Sequence, residues 1–448
     1  MSIPFEYLGD LNFNGMWKGN NLLNLWYGAP INIRERIKID QVLKNRDIKE
    51  RFYSLEYLHN KYPNQPIILL NLASTYASLL NFTDCLNLLN KLVELCTPFC
   101  IIDDKLIQWK ILIEKECSEN IKSTNEEYYE VCERKLYFND PPKLTDIVNF
   151  YSQLNKIQYI QSVWISNEFT KRYRKAFLHL AAIDANETEN IFSITPETTN
   201  DIIKSGLYYD DLIKVDSRSQ IKNSEEVVKI LDNTLCAFDI CESTSLQPLT
   251  SELIMKVHKE LVANTKVTKH SYDSNFTFYA LTEVDRWRNC NMYVMTKDKK
   301  HKYFSNVFDI QPFIEKLLEE YTNSNINPDF LRSDPLKAYI IAAWLHHSLS
   351  IIHPFSNENG KIARLISSIP LMKANLPPIS IRKNCRSKYI KALETAQLSN
   401  DITSLIEIFV NCTMISIEEI TEIINTEELR NIVGTQHENN KIKLRACI

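Results

Sequence analysis

Apolar residues recur along most of this chain at three- and four-residue spacing, the pattern of helices that bury one face. Ala338–Ile352 is apolar almost all round and holds neither glycine nor proline, which predicts a helix buried on every side. Helical spacing resumes at Ile362–Lys373, so the arrangement predicted there is helix, short loop, helix. Upstream, 190–264 alternates polar turns with amphipathic stretches such as Glu225–Phe238 and Leu249–Val262, and Lys143–Asp184 is nearly all helical in pattern. Leu69, Leu72, Ala73 and Tyr76 would line one helix, facing Cys85, Leu89 and Leu92 on a second that Pro98 stops. That spacing fits one tetratricopeptide-like helix pair. The next repeat, through Trp109 and Tyr128–Tyr129, is degenerate. One repeat is below what a stable array needs, so either it leans on neighbouring helices or the pair is an ordinary helical hairpin. The best strand candidate is Arg286–Thr296, with Met292–Met295 as its apolar part. The predicted fold class is all-α with one short strand.

Composition narrows the setting. At 448 residues and 44% hydrophobic the chain can bury two or three cores. A net charge of −4 gives no reason to expect nucleic acid or an anionic membrane. No apolar run reaches the roughly 18 residues of a membrane span. The first residues, Met-Ser-Ile-Pro-Phe-Glu-Tyr, lack the cationic start and apolar core of a signal peptide. Eleven cysteines lie scattered without C-x-x-C pairs, and Cys96 with Cys100 alone is weak evidence for zinc. Reduced thiols and a cytoplasmic or nuclear chain are expected. Residues 1–60 carry four of the seven glycines and the aromatics Phe13, Trp17, Trp26 and Tyr27, with no function assigned. The basic run Lys297–Lys302 is expected to be solvated.

Seven glycines is few, against roughly thirty at average usage. Between Leu207 and Val433 there is one, Gly360, and it lies in the predicted loop, His353–Arg364: His-Pro-Phe-Ser-Asn-Glu-Asn-Gly-Lys-Ile-Ala-Arg. A loop that opens a helix points free backbone N–H groups at whatever lies above it, which is an anion site. His353 stands at its entrance, Asn357 and Glu358 within it, Lys361 and Arg364 on the first helical turn. A base, a polar metal-ligand position and two cations around a phosphate-sized nest point to phosphoryl or nucleotidyl transfer. His346, seven residues before His353, is expected to pack.

The stretch resembles the signature of the Fic (fido) family, His-Pro-Phe-x-Asp/Glu-Gly-Asn-Gly-Arg-x-x-Arg. The likeness runs on through Pro377–Lys383 and Arg386–Leu393 to Thr413, and over about 170–415 it looks most like the animal endoplasmic-reticulum branch, whose members carry tetratricopeptide repeats before the domain. It implies a Fic helical core with a β-hairpin flap. It implies protein adenylyltransfer: AMP moves from ATP to a Ser, Thr or Tyr hydroxyl, with Mg²⁺ or Mn²⁺, and in that branch is also removed. His353 would be the general base. Asn357, Glu358, Asn359, Gly360, Lys361, Ile362, Ala363 and Arg364 would form the nucleotide site, with Asn357 also in the metal position. Met292, Tyr293, Val294 and Met295 on the flap, then Tyr389, Ile390 and Gln397, would meet adenosine. Leu178–Asn186 resembles the family's inhibitory helix, with Asp184 in place of the glutamate that pairs with the last arginine, here Arg364. Trp287 and Arg288 fall on the flap's Tyr-Arg positions. The flap edge would hold a target protein by strand addition, with homodimerisation left open.

Three positions depart from the signature. Asn357 replaces an acid and brings no charge to a metal. Glu358 replaces a glycine, which would cost on the order of 1–3 kcal/mol if φ is positive there, and is the alternative metal ligand. Lys361 replaces an arginine and loses its two-pronged fork. A Fic-derived pseudoenzyme, acting as a nucleotide-binding protein or scaffold, is therefore the rival reading, and a different donor (UTP, GTP or a phosphocholine carrier) a third. The expected division is an N-terminal segment (1–60), a tetratricopeptide-like region (61–136), a linker with the inhibitory helix (137–190), the Fic domain (191–425) and a tail (426–448).

Overall fold

A computed structural model of the protein describes residues 33–97, 104–133, 140–146, 153–166, 169–170, 173–207, 213–217, 219, 221–271, 277–295, 301–324 and 326–445. Phe13, Trp17, Trp26, Tyr27, Pro98, Cys100, Thr296 and 297–300 of the basic run lie outside the described residues. The chain divides into two compact units. One is 1–134 with 266–282, and the other is 135–265 with 283–448.

The first unit contains helices α1 (Ile33–Lys44), α2 (Ile48–Lys61), α3 (Pro66–Ser78), α4 (Phe82–Cys96) and α5 (Asp104–Glu133). Local chemistry sets their starts. The Asp47 carboxylate accepts the Glu50 N–H ahead of α2, Pro66 opens α3, and the Asn81 side chain accepts the Asp84 N–H ahead of α4. Leu69, Ala73, Cys85, Leu89 and Leu92 share one core with Trp109 and Ile113 of α5. Leu72 does not share it; it packs with Phe52 and Leu55 of α2 and with Val267. Val267 begins a hairpin, β1 (Val267–Ser271) with β2 (Thr277–Leu281), paired from Val267↔Leu281 to Ser271↔Thr277. The hairpin was not predicted. Its turn has no glycine or proline to mark it, and it interrupts a helical region. Lys266 ties its base to Glu56 of α2 at 2.9 Å.

The second unit is built on a central helical hairpin. Its helices are α6 (Leu154–Trp164), α7 (Arg174–Thr188), α8 (Pro196–Ser205), α9 (Ser224–Ser243), α10 (Ser251–Val262), α11 (Ile310–Asn323), α12 (Pro328–Ser333), α13 (Pro335–Ile352), α14 (Asn359–Lys373), α15 (Arg386–Ser399) and α16 (Thr403–Arg445). Helix α13 starts where Asp334 accepts the Lys337 N–H and Pro335 takes the first position. It is buried almost throughout, as its unbroken apolar run predicts, and Trp344 donates to the Pro142 carbonyl at 2.8 Å. Helix α14 packs on α13 and against α9, α10 and α12. The predicted strand shrinks to β3 (Tyr293–Met295), paired antiparallel with β4 (His301–Tyr303), Val294 opposite Lys302. Helices and two short hairpins make up the regular structure among the described residues, so the fold is all-α with a flap. No helix among them is long and apolar enough to cross a membrane.

Leu89 is fully buried between α3, α4 and α5. Leu89→Ala should cost about 2–5 kcal/mol of stability in the first unit, read as a lower urea midpoint at unchanged slope.

Candidate active site

The loop between α13 and α14 is pinned by its own side chains. The Asn359 amide accepts the Phe355 N–H at 2.9 Å and donates to the Phe355 carbonyl at 2.7 Å, closing a ring around Ser356–Glu358. Asn357 accepts the Glu358 N–H at 2.9 Å. Beneath the loop His258 of α10 stacks flat on Phe355, ring centroids 3.7 Å apart. Two residues adopt left-handed backbone: His353 (φ 50°, ψ 58°), which ends α13, and Glu358 (φ 66°, ψ 13°), which precedes α14. Gly360 does not need a positive φ; its value is the space it leaves.

His353 is half-buried, and its ring lies flat on Phe304 at 3.8 Å. Loss of water, with the Arg288 guanidinium beside it, holds the imidazole down to about 3. The ring is therefore neutral at physiological pH, the form that accepts a proton.

Helix α14 has no side-chain cap, and its first intrahelical bond is Ile362 N–H to the Glu358 carbonyl at 3.0 Å. The N–H groups of Asn359, Gly360 and Lys361 precede that bond and open toward the nest. Above them lies the carboxylate of Glu189, the C-cap residue of α7. A Cβ at position 360 would collide with it, 2.8 Å from Glu189 Cδ. The same carboxylate pairs with Arg364 at 2.7 Å. Arg364 also donates to the Ala185 carbonyl (3.1 Å) and to the Tyr389 hydroxyl (3.3 Å), which in turn meets His346 Nε2 at 3.0 Å. Tyr389 is thus buried behind the arginine, and His346 is its hydrogen-bonding partner rather than plain packing.

Asp184 was expected on Arg364, and the structure corrects this. Its buried carboxylate accepts from Ser380 at 2.7 Å and pairs with Arg382 at 2.9 Å. The helical turn of α7 aims position 184 at 380–382, and the carboxylate that reaches Arg364 comes five residues later, where the helix has ended.

Lys361 points into the protein. It is fully buried, paired with Glu358 at 2.9 Å and donating to Asn186 at 2.9 Å, while Asn186 donates to Thr234 and to the Ala182 carbonyl. Glu358 and Lys361 are thus complementary replacements: a buried carboxylate neutralises a buried ammonium three residues on. The donor set does not fit a resident divalent cation. Asn357 offers a neutral oxygen already bonded to an N–H, and the charge of the neighbouring Glu358 is offset by the Lys361 ammonium on one carboxylate oxygen, the other being buried without a hydrogen-bond partner. No cluster of three or more His, Cys, Asp or Glu able to hold a metal occurs among the described residues.

Residues 248–371 match the family model described as Fic/DOC family. The chain carries a Fic/DOC domain. The match covers α10, the flap, α13, the loop and nearly all of α14. A protein of Aedes aegypti named Protein adenylyltransferase Fic is 40% identical over 72 residues, 16% of this chain and 14% of that protein. The protein of that name from Nematostella vectensis is 28% identical over 197 residues, 44% of this chain and 38% of its own length. The chain thus spans under two fifths of these relatives' length. Solved structures similar to it include Fic-1 (aa134–508) from C. elegans, at 14% identity, 88% of this chain, 98% of that one and a TM-score of 0.43. A Fic domain containing signaling protein from Bacteroides thetaiotaomicron has 17% identity, 60% and 97% coverage and a TM-score of 0.44.

In the Fic domain, Ile362 and Ala363 are core side chains and present at most backbone to a ligand. Met292 is half-buried, and its carbonyl accepts from Phe304 across the flap at 3.0 Å. Tyr293 and Val294 are exposed on β3, which ends at Met295. Ile390 is partly exposed and Gln397 half-buried on α15. Sequence reasoning missed Glu189 and Asn186. No periodicity marks a carboxylate just past a helix end, whereas the i,i+3 spacing of Glu358 and Lys361 was a readable sign of pairing.

Magnitudes decide the effect of Glu358→Gly. Glycine relieves about 1–3 kcal/mol of left-handed strain, but stranding Lys361 costs about 3–5 kcal/mol. The net expectation is destabilisation by about 2 kcal/mol. The double variant Glu358→Gly/Lys361→Met should be more stable than Glu358→Gly in urea denaturation.

Proposed function

We propose that this protein transfers AMP from ATP to a hydroxyl of a target protein, from a resting state held shut by Glu189. The observation that carries the reading is one arrangement: a neutral histidine at the end of α13 beside a helix N-terminus where Arg364 already holds an anion in the space that Gly360 leaves. Glu189 stands where a phosphate would stand. In the step, the target oxygen bonds to the α-phosphorus as the bond from that phosphorus to the bridging oxygen breaks, and pyrophosphate leaves with the electron pair. The hydroxyl proton passes to a His353 ring nitrogen. A base this weak accepts it only as the new O–P bond forms and the hydroxyl turns acidic. The N–H groups of Asn359, Gly360 and Lys361 face the charge that builds on the phosphates, and Arg364 receives the far end once Glu189 leaves. The exposed Tyr293 and Val294 offer an edge for an extended target segment. The relatives named Protein adenylyltransferase Fic support the reading at the level of the domain.

A specific feature favours the rival, a Fic-derived scaffold without turnover. Lys361 is withdrawn from the nest by Glu358, so Arg364 is left as the nest's cationic side chain.

Auto-modification with labelled ATP separates the two. Glu189→Gln keeps the shape and removes the charge, and should raise label incorporation at least about tenfold, on the scale of one lost charge-assisted bond. Adding His353→Ala should abolish it while ATP binding persists. Silence in Glu189→Gln, or incorporation indifferent to His353, sinks the enzyme reading.

Asp184→Ala gives the contrasting outcome. It removes the partner of Ser380 and Arg382, and should cost about 3 kcal/mol of stability, the low end for a broken buried pair because Arg382 also pairs with Glu419. Incorporation per folded molecule should not rise; a rise matching that of Glu189→Gln would return the brake to Asp184.

The rate should also show no acid limb near pH 6.5. With His353 held down to about 3 by burial and Arg288, the ring stays neutral as pH falls from 8 to 5. A fall in rate centred near 6.5 in Glu189→Gln would contradict the observed environment of the ring.

A further inference from the structure

His353 ends α13 in a left-handed conformation that a non-glycine residue holds only when its surroundings over-determine it. The group that does so comes from the flap. Arg288 is buried, and its guanidinium donates to four backbone carbonyls: His353 at 2.7 Å, Ile352 at 3.4 Å, Cys290 at 2.6 Å, and Ser305. Its own N–H donates to the Pro354 carbonyl at 2.9 Å. Two of the four acceptors are the last carbonyls of α13, the negative end of the helix, where a cation is favoured. The other two are the legs of the flap, just before β3 and just after β4. The second leg adds its own holds: the Ser305 N–H and hydroxyl donate to the Ile351 carbonyl at 3.1 and 3.3 Å, and Phe304 covers the His353 ring. Only a planar fork of several donors can serve carbonyls in these separate directions at once.

We propose that Arg288 is a positioning residue of the transfer reaction, fixing the His353 backbone and joining it to the base of the flap. This rests on the reading of His353 as the base. It gives the flap a second task besides holding a target: a segment that pairs with β3 pulls on the strand whose root Arg288 fastens to the histidine. Arg288 does not touch the reacting atoms. A misplacement of the base by about 1 Å costs on the order of a hundredfold in rate, and that is the scale on which it acts.

The full-length protein carrying Glu189→Gln is the background for the test, with labelled ATP as the probe. Arg288→Met should lower kcat by about 10- to 100-fold with KM for ATP within about threefold. Arg288→Lys, which keeps a charge and some of the bonds, should recover part of the loss. Unchanged kcat in Arg288→Met overturns the proposal, and so does a loss of ATP binding in step with thermal stability in both variants. A second measurement covers the case in which the background shows no His353-dependent transfer, which would sink the proposed function by itself. The His353 ring is then titrated by NMR. It meets Phe304 on one face, the Ser350 backbone at its edge and the Arg288 guanidinium beside it. Loss of that guanidinium should raise its titration midpoint by about half a unit or more, and an unmoved midpoint overturns the proposal.

Discussion

The carboxylate of Glu189 over Gly360 is the contact on which the site depends. It answers two demands at once: the positive end of α14, whose first turn it approaches at Gly360, and the buried Arg364 guanidinium with which it pairs. Without an anion there, a fully buried arginine would stand beside an uncapped helix N-terminus. The resting protein supplies its own anion from the end of α7. Under the proposed function, a nucleotide would have to displace a residue of the chain, and occupancy of the nest would be a competition between phosphate and carboxylate. That is why the end of α7 is part of the site although it lies some 170 residues upstream of the loop.

The departures from the family signature look like independent losses when read one by one. Together they form a structure. Glutamate at 358 accepts a left-handed backbone that glycine would take freely, and lysine at 361 forgoes the fork of an arginine. Each is explained by the other, because the two side chains meet in the protein interior and Asn186 completes the set. A buried pair of this kind is strongly destabilised by removal of either partner, whereas removal of both is tolerated. The pair moves one cation and one carboxylate out of the nest, so the polarity of the site is set by Arg364 and Glu189.

Much of this was legible in the sequence, for identifiable reasons. The unbroken apolar run of α13 and the restart at Ile362 announce two helices and a loop, because burial on all sides leaves a strong signature. The flap showed as Met292–Met295. The β1–β2 hairpin did not show, since its turn has no glycine or proline, and its pairing with α2 joins residues more than two hundred positions apart. Asp184 was set against the wrong arginine because a motif gives spacing along a helix but not the direction in which that helix points. Arg382 and Ser380, which claim it, lie in a segment with no regular structure to predict. Lys361 was read as a ligand-facing cation from its place on the first turn, and only burial reveals that it turns inward.

The placement of strain follows the same logic. This chain keeps glycine at 360, where the backbone is ordinary helix, and puts glutamate and histidine at the two left-handed positions around it. Conformational freedom is therefore not what the glycine provides. It provides room for an anion to approach the backbone, a requirement no other side chain can meet because any Cβ would occupy the same space. Strain at 353 and 358 can instead be held by neighbours, Arg288 at one and Lys361 at the other, and both neighbours are buried cations. The loop is thus shaped by three positive charges with separate tasks: Arg288 holds the His353 backbone, Lys361 holds the turn, and Arg364 holds the Glu189 carboxylate. Of the three, only the last is left facing the nest and the Glu189 carboxylate, while the other two hold the geometry around it.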